Sequence, residues 1–226
     1  MADSGIFNGQ EIVRVGHIDP SVAVIRDPAG SFAEHLRTIG MRLLVGPGAE
    51  AARALAVVSP SHGDGRSTLA ANLAVVFAQA GRRTVLIDAD LRRPFQHRLF
   101  GCDPKPGFAG FDDRIDERPL ARPVDDVPGL YLITAGRSTD AEFDPAALAP
   151  ARFARLLSLL TGQVDQVVID TPPGLHYADG PGVAAQTGAA LMVVRCGHTG
   201  IARARRLADE VQAMGATVLG TVLNHG

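Results

Sequence analysis

A glycine-containing loop between an apolar strand and a long apolar helix is the feature that most constrains this chain. The loop has the sequence SHGDGRST at residues 61–68, between an apolar run at 55–58 and an apolar-rich stretch at 69–80. Glycines let backbone N–H groups turn toward a phosphate, and the N-terminus of the following helix adds a partial positive charge. The strand–loop–helix order therefore predicts a phosphate-binding loop, although an ordinary glycine-rich turn would look similar.

Position 66 of this loop carries arginine, where such loops usually carry lysine. Arginine keeps the positive charge and can bind phosphate through two parallel hydrogen bonds. It is longer and planar, however, so the exchange is not conservative at a crowded phosphate site. Pro60 also stands where the general motif has its first glycine. Two interpretations follow: a nucleotide enzyme with an unusual anchor, or a nucleotide-binding relative that has lost its chemistry.

Apolar segments of strand length alternate with helical segments over most of the chain. Strands are predicted at 54–59, 84–88, 130–134, 166–170, 190–195 and 217–223, and helices at 31–45, 67–80, 150–161, 178–187 and 200–214. Strands that are apolar on both faces and alternate with helices predict an α/β fold. We expect a doubly wound, mostly parallel sheet of the P-loop NTPase type, with helices on both faces.

The remaining segments are weakly patterned. Residues 1–30 are punctuated by glycine and proline and are predicted to be an N-terminal tail with one short extended piece, so that the nucleotide-binding domain covers 31–226. The stretch between Gly101 and Gly129 is rich in proline, aspartate and arginine. We interpret it as a long loop with one short helix, near the active-site face.

Two of the predicted strands end in carboxylates. The stretch TVLIDADLRRP places Asp88 and Asp90 on the same side of the chain at a strand end, and VVIDTPP places Asp170 at another. Ligands of open α/β sheets bind at the carboxyl ends of the strands. Such a pair can hold the shell of Mg²⁺ and accept a proton from a nucleophile, and Asp170 suits the orientation of Mg²⁺ through water. Solvated turn residues or ordinary strand-end caps are the alternatives.

Composition and charge indicate which partners and which cellular compartment to expect. The 226 residues have a net charge of −2, which gives no indication of nucleic acid binding. No apolar run approaches the ~20 residues of a membrane-spanning helix, and the first residues do not resemble a signal peptide. The two cysteines show no metal-ligand spacing. We expect a cytoplasmic protein without direct membrane insertion.

These motifs together resemble the bacterial tyrosine kinase family, the P-loop autokinases of polysaccharide biosynthesis. The resemblance covers residues 31–226 and is most specific in LIDADLRRP followed by QHRLFG, in VVIDTPP, and in the closing stretch from 206 to 224. The sequence is most similar to the chain-length-determinant kinases of exosortase-linked exopolysaccharide clusters. Members of that subgroup also carry Gly-Arg-Ser in the loop.

The resemblance implies a kinase-like domain that binds ATP and Mg²⁺. Asp88 would be the catalytic carboxylate and a metal ligand, Asp90 its partner near the metal, and Asp170 the third acidic group of the metal site. Asn224 would lie near the adenine base, unless it is only a strand-end turn residue. The phosphates would be held by Gly63, Asp64, Gly65, Arg66, Ser67 and Thr68, with Arg66 acting in catalysis and Ser67 also binding Mg²⁺.

Two features depart from the family pattern. The family carries a C-terminal cluster of acceptor tyrosines, whereas this sequence closes on Asn-His-Gly and has its two tyrosines at Tyr131 and Tyr177. The family's oligomerisation helix carries Glu-x-x-Arg-x-x-Arg. Glu34 and Arg37 match this pattern, but Gly40 replaces the second arginine.

Three functions remain as expectations. The first is a cytoplasmic ATP-binding protein-tyrosine kinase that regulates exopolysaccharide polymerisation and export. It would act with a membrane polysaccharide co-polymerase, at the inner face of the plasma membrane and as a homo-oligomer. The second is a catalytically weak, nucleotide-sensing scaffold of the same pathway. The third is a ParA/MinD-like ATPase, although those proteins carry a signature lysine where this chain has Ser61.

Overall fold

Apolar strands form the centre of a seven-stranded sheet in the computed structural model, which describes residues 7, 18–111, 120–136 and 145–225. The strands are β1 (Ala54–Val58), β2 (Thr84–Asp88), β3 (Arg122–Pro123), β4 (Leu130–Ile133), β5 (Gln166–Asp170), β6 (Ala189–Arg195) and β7 (Thr217–Asn224). Every residue of β2 and β5 is buried. Their continuous apolar runs are what a strand covered on both faces requires.

Seven α-helices connect and cover these strands within the described residues. They are α1 (Ala23–Arg26), α2 (Ser31–Val45), α3 (Arg66–Gln79), α4 (Gln96–Leu99), α5 (Pro150–Leu160), α6 (Asp179–Thr187) and α7 (Ile201–Ala213). Short 3-10 helices lie at Ala51–Arg53, Phe108–Gly110 and Pro145–Leu148. None of the helices in the described part of the chain is both long and apolar enough to cross a membrane.

Alternate side chains of the central strands pack against different helices. Leu55 and Val57 of β1 belong to a hydrophobic cluster with α2 and α3. Ala56 and Val58 belong to a second cluster with α5, α6 and α7. Because successive side chains of a strand point to opposite faces, the sheet is the middle layer of three. The predicted doubly wound α/β fold is confirmed.

The order of the strands brings three strand ends together. The order across the sheet is β3-β4-β2-β5-β1-β6-β7, and only β3 of these strands runs antiparallel to its neighbour. Val57 of β1 pairs with Asp170 of β5, and Asp170 pairs with Asp88 of β2. The loop after β1 and the acidic ends of β5 and β2 therefore share one edge of the sheet.

The structure adds elements that the sequence does not predict. A two-residue strand, β3, lies in the stretch interpreted as a long loop, and α4 is a single turn of helix after β2. Neither is long enough to show a hydrophobic period. The predicted short helix in the 101–129 stretch corresponds to the 3-10 helix Phe108–Gly110. Residues 112–119 of that stretch lie outside the described residues.

Part of the predicted tail is packed against the sheet domain. Residues 23–26, within the segment predicted as a tail, form the helix α1, and Val22 and Val24 are fully buried. The buried side chain of Asn72 in α3 donates to the carbonyl oxygen of Ser21 at 2.8 Å and accepts from the N–H of Val24 at 3.1 Å. Its Nδ2 also donates to the carbonyl oxygen of Thr68 at 2.8 Å, whereas its Oδ1 has Val24 as its partner. This buried oxygen therefore needs residues 21–24 in place.

Helices α2 and α3 approach closely at Gly40. A Cβ atom at this position would lie 2.4 Å from Cγ1 of Val76, which is itself buried. The position that differs from the oligomerisation motif is therefore a packing position inside the domain, where an arginine side chain would not fit.

We expect Gly40→Ala to destabilise the protein by about 1–3 kcal/mol, because the added methyl group overpacks the α2–α3 contact. Gly182→Ala in α6 is the matched control. A Cβ there would meet no atom within 4 Å, so this change should stabilise by about 0.5–1 kcal/mol through the lower flexibility of alanine. Urea unfolding of both variants and wild type measures the change in unfolding free energy. Equal changes in the two variants would contradict the packing role of Gly40.

Candidate nucleotide-binding site

The loop after β1 has the backbone geometry of an anion-binding loop. Gly63 and Gly65 adopt positive φ values of 77° and 95°, and α3 begins directly afterwards at Arg66. A Cβ at Gly63 would meet no atom within 4 Å, so the space beside this residue is open. Backbone N–H groups of the loop and of the first turn of α3 can therefore reach a bound anion.

The buried side chain of Asp64 stabilises the conformation of this loop through hydrogen bonds. Its buried carboxylate accepts hydrogen bonds from the hydroxyl of Thr199 at 2.6 Å and from the N–H of Ser61 at 2.9 Å, and it pairs with Nδ1 of His198 at 3.0 Å. Thr199 and His198 belong to the turn between β6 and α7. The structure therefore gives Asp64 internal partners on that turn, which hold the loop in shape.

Asn224, the last residue of β7, lies against the same loop. Its amide Nδ2 donates to the carbonyl oxygen of Asp64 at 3.1 Å. A Cβ at Gly65 would come within 2.3 Å of this Nδ2 atom. Glycine at 65 is thus required twice, by its positive φ and by the approach of Asn224. The end of β7 and the phosphate loop are therefore neighbours, whereas the expected place of Asn224 near the adenine base stays a prediction.

The guanidinium of Arg66 lies at the carboxyl edge of the sheet and contacts residues that end or follow three of its strands. Its Nε donates to Oδ1 of Asp170 at 3.2 Å, and its Nη2 donates to Oδ2 of Asp90 at 2.9 Å. Its Nη1 donates to the hydroxyl of Ser59 at 2.8 Å. Only 7% of the arginine side chain is exposed. Arg66 therefore joins the ends of β1, β2 and β5.

Gln96, at the start of α4, completes this network. Its Nε2 donates to Oδ2 of Asp170 at 2.8 Å and to the carbonyl oxygen of Ser67 at 3.0 Å. Its Oε1 is buried without a hydrogen-bond partner among the described residues. The sequence does not predict a role for Gln96, although this residue follows the acidic strand within the stretch that carries the resemblance.

Asp88 is fully buried at the end of β2. Its Oδ2 accepts from the N–H groups of Phe95 and Gln96, both at 3.0 Å, and its Oδ1 accepts from the N–H of Asp90 at 3.2 Å. Burial, followed by the neighbouring Asp170 carboxylate, raises the pKa of Asp88 well above the ordinary aspartate value. The backbone hydrogen bonds oppose this rise.

Asp90, two residues beyond the end of β2, is also buried. It accepts from the backbone N–H groups of Arg92 and Arg93 at 3.3 and 3.0 Å, in addition to the contact with Arg66. Burial raises the pKa of Asp90, and the positive charge of Arg66 partly offsets that rise. The two carboxylates at the end of β2 therefore differ, because Asp90 has a cationic partner.

Ser67 and Thr68 occupy the first turn of α3 and are both half-buried. All the residues predicted for the phosphates, the metal and the acidic groups thus lie at the carboxyl edge of the sheet. The N-terminus of α3 and the open space at Gly63 fit a nucleotide phosphate.

The acidic residues suit a metal ion only in part. No group of three His, Cys, Asp or Glu side chains in the described parts of the chain is placed to hold a metal ion by itself. Both oxygens of Asp170 already accept hydrogen bonds, from Arg66 and Gln96. Mg²⁺ is commonly bound through one or two carboxylates together with substrate phosphates and water. The donor set therefore fits Mg²⁺ bound jointly with a nucleotide.

A phosphate loop between β1 and α3, with acidic residues at the ends of β5 beside it and of β2 beyond β5, defines a P-loop NTPase domain. The family model described as "ParA: NUBPL iron-transfer P-loop NTPase" matches residues 50–225. The chain belongs to this ParA family of P-loop NTPases.

Individual relatives are bacterial tyrosine kinases. The chain is 33% identical over 208 residues to the putative tyrosine-protein kinase EpsB of Ralstonia nicotianae, a match that covers 91% of this chain and 26% of that protein. The chain therefore spans about a quarter of the length of this curated relative.

Solved structures are similar to this chain over most of its length. The chimerical protein CapA2B2 has a TM-score of 0.82 at 27% identity, covering 95% of this chain and 93% of that one. The kinase domain of the Escherichia coli tyrosine kinase ETK has a TM-score of 0.79 at 26% identity, covering 90% and 79%. The predicted resemblance to the bacterial tyrosine kinases is confirmed.

The raised pKa of Asp88 predicts a pH dependence of stability. The folded protein binds the Asp88 proton more tightly than the unfolded chain, whose aspartates titrate near 3.8. The stabilisation from this group is fully present below pH 3.8 and is lost as pH rises through the higher folded-state pKa.

We therefore expect wild-type protein to lose stability relative to Asp88→Asn as pH rises above about 4, because asparagine does not titrate. Urea unfolding at a series of pH values measures this difference in unfolding free energy. Asp209→Asn, at an exposed carboxylate on α7, is the control. The raised pKa would be contradicted if the unfolding free energy of wild type, minus that of Asp88→Asn, stayed constant or increased with pH.

Proposed function

We propose that this domain is an ATP-dependent protein-tyrosine kinase. The proposal depends on the contacts of Asp90 and Asp170 with Arg66, the first residue of α3, directly behind an open phosphate loop. Asp88 lies beside Asp170 in the register of the sheet. Kinases and other phosphoryl-transfer enzymes need phosphate positioning, charge stabilisation and a carboxylate near the nucleophile. The tyrosine kinases among the relatives support tyrosine as the acceptor.

Each residue has a role in this proposal. Backbone N–H groups of residues 63–68 bind the phosphates, and Asn224 lies on the side where the base would bind. Asp88 accepts the proton of the acceptor hydroxyl, a task that suits a buried carboxylate with a raised pKa. Ser67, Asp88 and Asp170 would hold Mg²⁺, with Asp90 beside them. Bound Mg²⁺ supplies charge neutralisation on the transferring phosphoryl group.

To bind a phosphate, Arg66 would have to exchange some of its present hydrogen-bond partners. Its three donors now contact Asp90, Asp170 and Ser59 rather than the open side of the loop. A bound phosphate would compete with the carboxylates for the guanidinium, and released carboxylates would become available to the metal. Arg66 therefore couples the phosphate side of the site to its acidic side.

The cellular role is part of the same proposal. The domain would act in exopolysaccharide polymerisation and export with a membrane co-polymerase, at the cytoplasmic face of the plasma membrane. It would also form homo-oligomers. Glu34 and Arg37 of α2, which match the oligomerisation motif, form an exposed ion pair at 3.1 Å within the chain. These two side chains lie on the surface, where a second copy could engage them.

The test is phosphoryl transfer from labelled ATP and Mg²⁺ to a glutamate–tyrosine copolymer. We expect Asp88→Asn to reduce labelling of polymer tyrosine by about 10²–10⁴-fold, because it removes a positioned proton acceptor. Nucleotide binding should be retained, which separates lost chemistry from lost folding. Asp209→Asn should transfer at the wild-type rate. Equal transfer by wild type and Asp88→Asn would exclude the role of Asp88.

The position of Arg66 favours one second candidate, a nucleotide-sensing scaffold. If Arg66 stays on Asp90 and Asp170 when nucleotide binds, the carboxylates remain occupied and transfer is slow. Binding of ATP without labelling of either the chain or the polymer would support the scaffold. ATP-dependent dimerisation with ATP hydrolysis but no tyrosine labelling would instead support a ParA/MinD-like ATPase, in line with the family match.

A further inference from the structure

The two tyrosines of the sequence lie on opposite sides of the sheet along the strand direction, one near the amino ends of the strands and one beyond their carboxyl ends. Tyr131 lies near the start of β4, paired in register with Val85 of β2. Its ring is 5.0 Å from the ring of Phe7 and 5.1 Å from the guanidinium of Arg83. Tyr177 instead follows the carboxyl end of β5, in the segment that leads into α6. Of the two, Tyr177 is the one at the edge that carries the phosphate loop.

The ring of Tyr177 contacts both sides of the candidate site. Its centroid lies 6.1 Å from the ring of His62, a residue of the phosphate loop. The guanidinium carbon of Arg92 lies 4.1 Å from the centroid of the Tyr177 ring. The backbone N–H of Arg92 donates to Asp90 at 3.3 Å. Tyr177 thus lies between the phosphate loop and the acidic segment that follows β2.

Backbone hydrogen bonds hold this tyrosine in place. The N–H of Tyr177 donates to the carbonyl oxygen of Pro173 at 3.1 Å, which closes a turn. The same turn is tied to the start of the phosphate loop, because the N–H of Gly174 donates to the carbonyl oxygen of Ser59 at 2.9 Å. The side chain of Tyr177 is half-buried. Its position relative to the loop is therefore set by the fold.

The surroundings of Tyr177 suit a phosphorylated ring. Arg92, His62 and His176 lie around it, and Nη2 of Arg203 lies 3.4 Å from Nε2 of His176. The acidic neighbour is Asp179, which is paired with Arg92 at 3.0 Å. A phosphotyrosine carries a charge of about −1.5 to −2 at neutral pH, and guanidinium groups bind phosphate strongly. Phosphorylation would give Arg92 a second anionic partner.

We propose that Tyr177 is an acceptor of the phosphoryl group that this site transfers, an inference that rests on the proposed kinase function. The phenolic oxygen forms a bond to the γ-phosphorus of ATP while the bond from that phosphorus to the β–γ bridging oxygen breaks. ADP leaves with the bonding electron pair, and the phenolic proton passes to Asp88, the proton acceptor of the proposed kinase. The product is phosphotyrosine at the mouth of the site, where Arg92 can bind it.

The experiment incubates the full chain with Mg²⁺ and γ-labelled ATP, with and without the glutamate–tyrosine copolymer. Wild type, Tyr177→Phe and Tyr131→Phe are compared, and peptide mass spectrometry locates the phosphate. We expect wild type and Tyr131→Phe to carry the label at residue 177. Tyr177→Phe should lose self-labelling yet still label the copolymer, because phenylalanine keeps the ring and removes only the acceptor oxygen.

The outcomes separate the two proposals. Self-labelling that persists in Tyr177→Phe, or that maps to Tyr131, overturns the assignment of Tyr177. Labelling of the copolymer without labelling of the wild-type chain also overturns it and leaves the kinase function standing. No label on either protein overturns both. A circular dichroism spectrum of Tyr177→Phe like that of wild type excludes misfolding as the cause of a lost signal.

Discussion

The Arg66 guanidinium lies between the buried carboxylates of Asp90 and Asp170, which end or follow neighbouring strands of the sheet. Two negative charges at this depth would be costly without a cation between them. Arginine can satisfy both carboxylates and Ser59 at once, because its donors point in different directions from one planar group. A lysine would present its donors from a single nitrogen. The unusual residue of the loop therefore holds the acidic half of the site together.

The topology of the sheet creates the need for this cation. Because β5 inserts between β1 and β2, the acidic ends of β2 and β5 lie side by side and next to the loop that follows β1. Gln96 and the backbone N–H groups at the start of α4 take the remaining oxygens of Asp170 and Asp88. In the proposed function, phosphate and Mg²⁺ would therefore compete for groups that already have partners. Binding of one would then change which side chains are available to the other.

Much of this fold could be predicted from the sequence, because its strands are apolar on both faces and alternate along the chain with segments of helical length. The meeting of Asp88, Asp90 and Asp170 with the loop also followed from strand ends in a parallel sheet. The partners of Arg66 could not be predicted, since they depend on a side-chain direction and on a residue 104 positions away. The same holds for Asp64, whose partner Thr199 is 135 positions away. Gln96 lies in a single helical turn, which is too short to show a pattern.

A double-mutant cycle between Arg66 and Asp90 measures how strongly this cation holds the buried carboxylates in place. The unfolding free energies of wild type, Arg66→Met, Asp90→Asn and the double variant give the coupling between the two side chains. We predict a coupling of about 1–3 kcal/mol, because both groups are buried and in contact. The exposed pair Arg206 and Glu210, which lie 2.9 Å apart on α7, should show no more than about 0.5 kcal/mol in a parallel cycle. A coupling between Arg66 and Asp90 no larger than that of the exposed pair would contradict the role of Arg66 as the cation that holds the site together.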